Sequence, residues 1–99
     1  ECPGAYAQGG RDGRVIRVTT LDDTGKEGSL RFAVEQEGPR IIVFDIAGYI
    51  SLNSDLVIKN PQITIDGSTA PCEGICLRDG TLRIENTHDV VLRAIRVRP

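Results

Sequence analysis

Nearly everything this chain can fold with is a set of nine very short apolar runs. They occupy residues 14–18, 41–44, 49–52, 56–58, 63–65, 75–77, 82–84, 90–92 and 95–97, and Asn, Asp, Gly or Pro breaks the chain between all but the last two. Their period-2 character predicts strands. Tight hairpin pairs are scarce between them, so consecutive strands are not expected to fold back on one another. The runs also recur. Ile42-Val43-Phe44-Asp45, Ile63-Thr64-Ile65-Asp66 and Val90-Val91-Leu92-Arg93 share three strand formers followed by a polar residue, and two shorter runs separate successive copies. Asp45 and Asp66 are 21 residues apart, and Asp66 and Arg93 are 27 apart. Three strands per period predict a coil that stacks turn on turn, a parallel β-helix of about three coils. A β-sandwich would require more hairpin turns and clearer spacing of its strands.

One segment, residues 29–36, reads as helix. Ser29 is placed to cap it, Leu30, Ala33 and Val34 share a face, and Gly28 and Gly38-Pro39 limit it to about two turns. It precedes the first complete coil and is expected to cover that end of the core. The expected organisation is therefore all-β with a short N-terminal capping α-helix. It forms a single domain over 1–99, with arm and cap helix over about 1–38 and coils over about 39–99. Aromatics make up only 4% of the chain, with no Trp or Met, so the core must be laddered Ile, Val and Leu.

Net charge is −2, which argues against an obligate nucleic-acid binder. No apolar run approaches the roughly 18 residues of a membrane span. The chain opens Glu1-Cys2-Pro3-Gly4 with no Met, which is expected of a processed or excised polypeptide. Cys2, Cys72 and Cys76 allow one internal disulfide, through any of three pairings, or three small buried thiols. Without a CxxC, and with the lone His88 in a polar loop, a structural zinc site is not expected.

Several polar groups are placed to do chemistry. Arg83, Arg96 and Arg98 alternate with apolar residues, so they should point outward; with Lys59 and Arg78 nearby they offer a patch for carboxylates. Asp45, Asp66 and Arg93 end equivalent strands and are expected to stack, with Asp66-Gly67 read chiefly as a turn. Asp22-Asp23 and Glu27 around Gly25 lack EF-hand spacing and read as a solvated loop. Gly9-Gly10-Arg11-Asp12-Gly13 reads as a turn and not a phosphate loop.

Taken in order, these segments resemble one family. Residues 4–13 followed by Val15-Ile16-Arg17-Val18-Thr19-Thr20-Leu21 look like the opening of the pectate lyases of the pectin-lyase-like superfamily. Gly28-Ser29-Leu30-Arg31-Phe32-Ala33-Val34 is similar to their cap-helix motif, and residues 41–50, 63–71 with Gly74-Ile75, and 90–99 resemble successive coils. The resemblance implies a right-handed parallel β-helix, secretion, and calcium-dependent β-elimination of polygalacturonate, an acidic polysaccharide. It also implies that the calcium ligands and the catalytic base follow the segment matching residues 96–99, so no catalytic or metal residue carries over. The alternative is a non-catalytic carbohydrate-binding module or a scaffold that forms a homo-oligomer through open coil ends.

Overall fold

The computed structural model describes residues 13–71 and 74–98. Its strands are β1 (Arg14–Val18), β2 (Arg40–Phe44), β3 (Gly48–Ser51), β4 (Leu56–Ile58), β5 (Ile63–Asp66), β6 (Ile75–Arg78), β7 (Leu82–Ile84), β8 (Val90–Arg93) and β9 (Ile95–Arg98). The helix α1 spans Leu30–Glu35 between β1 and β2. Every strand pairing is parallel. From β2 onward each strand pairs with the one three places later, which gives the sheets β1-β2-β5-β8, β3-β6-β9 and β4-β7. A chain that visits three sheets in rotation leaves no place for hairpins, and the arrangement is compatible with a β-helix.

The register sorts side chains into ladders. Ile16, Ile42, Ile65 and Leu92 align across one sheet, Ile50, Leu77 and Val97 across the second, and Ile58 and Ile84 across the third. These ladders, with Val18 and Phe44, make a core without Trp or Met. Burial fails at the last rung of each: Ile42, Ile65, Ile50, Leu77 and Ile58 are buried, whereas Leu92 and Val97 are 41% exposed and Ile84 51%.

Helix α1 is built as its sequence requires. Ser29 Oγ accepts the Phe32 amide at 3.2 Å, and Leu30, Ala33 and Val34 are the buried face. Single left-handed residues turn several corners, among them Ala94, alone between β8 and β9 with φ 54°. Gly67 must be glycine for a different reason. A Cβ there would press into the Ala94 carbonyl oxygen, closer than van der Waals contact allows.

The register also corrects one expectation. Asp66 does pair with Arg93, but Ile42 lies opposite Ile65, so Asp45 does not stack over Asp66. Asp45 instead accepts from Arg17 NH1 at 2.6 Å. Asp66 is a turn residue: its Oδ1 accepts from the Ser68 amide at 3.0 Å and the Ser68 hydroxyl at 2.5 Å, opening a 3-10 turn at Gly67–Thr69. Cys76 is a buried free thiol. Cys2, Cys72 and the glycine-rich turn up to Asp12 lie outside the described residues.

Candidate functional site

The three arginines expected to form one patch lie on two faces. Strands β3 and β6 bury Ile50, Ile75 and Leu77 and leave Tyr49, Ser51 and Arg78 exposed, while β9 is exposed at Arg96, Val97 and Arg98. One register column holds exposed Tyr49, buried Cys76 and exposed Arg96, and the column beside it holds Ser51, Arg78 and Arg98, all exposed. Arg96 and Arg98 therefore share a surface with Arg78. Arg83 is on β7, opposite Val57 in the β4–β7 sheet.

The two faces also differ in how their guanidiniums are engaged. Arg83 pairs with Glu85 and lies 3.7 Å from Asp55. Asp55 has its pKa lowered by accepting from the backbone and side chain of Thr81, with Arg83 adding to the effect. Arg78 is held differently. Its Nε donates to Ser51 Oγ at 3.0 Å, its guanidinium carbon stands 4.7 Å from the centre of the Tyr49 ring, and Asp79 is 4.0 Å away. Tyr49 is 45% exposed and lines a shallow groove with Leu21, Asp22, Thr24, Ser51 and Asn53.

The loop expected to be solvated around Asp22 and Asp23 is corrected by the structure. Asp22 is exposed, but the Asp23 side chain is only 2% exposed. Both its oxygens accept from Arg31, Oδ1 from Nε and Oδ2 from NH2, each at 2.8 Å. Oδ2 also takes the Asn53 amide at 2.7 Å, and the Asp23 carbonyl takes Asn53 Nδ2 at 2.8 Å. Arg31 donates onward to the Ser54 carbonyl at 2.8 Å. The result is a clamp that ties α1 to the segment before it and to the β3–β4 turn. The Arg31 hydrogen bond holds the Asp23 pKa below the usual carboxylate range, against the opposing effect of burial. A repeated-strand pattern carries no signal for such a pair, because its two members lie outside the strands.

A second group passed unnoticed in the sequence. Arg40 opens β2 pointing inward and is 2% exposed. Among the described residues its guanidinium meets only carbonyl oxygens, those of Ala33, Val34, Gly38, Asn60 and Pro61. Burial first, and then the neighbouring Arg14 charge, lowers its pKa. It is a structural cation that satisfies the end of α1. No group of three or more His, Cys, Asp or Glu side chains suited to a metal exists among the described residues. Nor is any described helix long and apolar enough to cross a membrane.

No family model matches the chain. Individual proteins do. A probable pectate lyase C of Aspergillus flavus is 45% identical over 95 residues, which is 96% of this chain and 22% of that protein. The protein of the same name from Emericella nidulans is 46% identical over the same span. Pectate lyase 3 of Ambrosia artemisiifolia is 35% identical over an alignment of 108 residues that takes in all of this chain and 27% of that protein. The chain is related to the pectate lyases. It spans about a fifth to a quarter of their length.

Proposed function

We propose that this chain is part of a secreted pectate-lyase-like polysaccharide lyase acting on polygalacturonate by calcium-dependent β-elimination. In this reading residues 1–99 form one domain, a right-handed parallel β-helix of about three coils, and Arg83, Arg96 and Arg98 contact uronate carboxylates. The observation that carries it is the 35–46% identity to proteins named pectate lyase along essentially the whole chain. Guanidinium forks suit the substrate because they pair carboxylates bidentately. Calcium is supported by the resemblance alone. The described residues do not fit it, since they bring no three suitable ligands together and Asp23 is committed to Arg31.

Electrophoresis through a gel containing polygalacturonate tests the reading. The chain is expected to be retarded, less so at higher salt, and not retarded by a neutral glucan gel. Equal mobility in the polygalacturonate and neutral glucan gels would end it. An ultraviolet assay for unsaturated product, with calcium and then with chelator, separates the lyase from a binding module. Turnover abolished by chelator supports the lyase, and retardation without turnover supports the module.

Association of two copies through coil ends is a second reading, carried by the half-exposed ladder rungs Ile84, Leu92 and Val97. Light scattering is then expected to give twice the 10.8 kDa chain mass. The single-chain mass at working concentration would remove this reading.

A further inference from the structure

We infer that two copies of this chain pack together through the outer face of the β1-β2-β5-β8 sheet, around a stripe of β-branched side chains and two crossed ion pairs between Arg93 and Asp89. The stripe is Val15, Ile41, Thr64 and Val91, each directly opposite the next. Ile42 and Ile65, which follow Ile41 and Thr64, are buried in the core, so alternation turns this column outward. Val15 is 55% exposed and Val91 42%, with Ile41 and Thr64 half-buried between them. Single exposed apolar residues are ordinary on a surface, whereas a continuous row of them marks a contact. This row crosses all four strands of the sheet. It is a different surface from the open coil end, because Leu92 of the same strand continues the inward ladder of Ile42 and Ile65.

The charges beside the stripe select a second copy as its occupant. Asp89 precedes Val91 by two residues and Arg93 follows it by two, so an anion and a cation flank the stripe at the level of β8. Arg93 is exposed, and its guanidinium has no hydrogen bond or ion pair among the described residues. The Asp89 side chain is 67% exposed, with His88 Nδ1 at 3.2 Å. A two-fold axis laid along the stripe sets each rung against its own equivalent. It also crosses the flanks, so that Arg93 of each copy meets Asp89 of the other. A two-fold axis laid along the strands instead sets Arg93 over Arg17 of the second copy, cation against cation. The surface therefore fits itself in one orientation. That orientation leaves the faces carrying Arg83, Arg96 and Arg98 open. Four rungs at a spacing of about 4.8 Å make a short contact. A standard stable interface buries about 800 Å² per partner, so the pair is expected to be weak and to form as concentration rises.

Sedimentation equilibrium over a range of concentrations tests this inference, which does not depend on the polygalacturonate reading. Ile84→Glu charges the exposed rung of β7 at the coil end and so hinders the other route to a pair. In that background the mass is still expected to rise toward two chains. Adding Thr64→Glu, which puts charges against each other in the middle of the stripe, is expected to weaken association at least tenfold with circular dichroism unchanged. Adding Arg93→Glu is expected to do the same, and adding Asp89→Lys to that variant should bring association back to within threefold of the background. Recovery of this kind needs a partner across the interface, which a merely structural role for Arg93 does not supply. Association that ignores Thr64→Glu overturns the inference, and its loss with Ile84→Glu alone assigns the contact to the coil end instead. Failure of the charge swap to restore association overturns the pairing of Arg93 with Asp89 and the two-fold arrangement with it. A single-chain mass for the parent at every concentration overturns this inference and the coil-end reading together.

Discussion

Replacing Arg40 with methionine is expected to lower the unfolding free energy by about 3–5 kcal/mol, within the range for losing a buried hydrogen-bonded charge network. Methionine keeps most of the bulk, so the loss reports hydrogen bonding and not a cavity. The last carbonyls of a helix have no partner within it, and α1 has only six residues to spread that deficit over. Arg40 donates to Val34 O at 2.8 Å and Ala33 O at 3.3 Å at the end of α1, then to Gly38 O at 2.9 Å and Pro61 O at 3.1 Å beyond it. It thereby joins the cap helix to the turn before β5 and puts a positive charge where the helix dipole favours one. Arginine stays charged despite the downward pull of burial. Lysine at this position keeps the charge but has no planar fork, so Arg40→Lys should fall between methionine and the parent. Urea unfolding followed by circular dichroism measures both. A loss below about 1 kcal/mol for methionine, the worth of a single ordinary hydrogen bond, would sink this account of Arg40.

The strands were legible because each one reports its own burial. The runs at 14–18, 56–58 and 82–84 coincide with β1, β4 and β7, 49–52 is shifted by one residue from β3, and the others differ from their strands by a residue at one end. Ser29 was legible as a cap because capping is a local act, completed within three residues. What failed to read through was whatever depends on register or on long-range contact. Asp45 and Asp66 look equivalent in sequence, yet β2 extends farther past Ile42 than β5 does past Ile65, and a slip of that kind moves a side chain to another level. Arg83 alternates with apolar residues just as Arg96 does. Alternation says only that a side chain points out; the rotation among three sheets decides which way out. Arg40 had a faint signal, as a charged residue in phase with Ile42 and Phe44. Inward charge in a strand is rare enough to mark either a site or a structural network.

The cap helix thus depends on two arginines that work in opposite ways. Arg40 has carbonyls for partners, and Arg31 has a carboxylate, so only the second link can be broken by acid. Asp23→Ala is expected to cost about 3–5 kcal/mol near neutral pH, because it strands a largely buried guanidinium and removes the acceptor for the Asn53 amide. Its pH dependence has a definite sign. The native Asp23 pKa lies below that of the unfolded chain, held there first by the Arg31 hydrogen bond. The stabilisation is then complete above the unfolded value, about 3.9. It fades as pH falls from there through the lowered native value, because the unfolded chain takes up the proton first. Arg31 has its pKa raised by the same hydrogen bond and stays charged throughout. Asp55, lowered mainly by Thr81, adds a second acid-sensitive contribution that Asp23→Ala leaves untouched. Urea midpoints of parent and variant should therefore converge as pH drops below about 4, without the variant becoming flat. Curves that stay parallel from neutral pH down to pH 2 would mean that the Asp23 carboxylate is not what holds α1 to the β3–β4 turn.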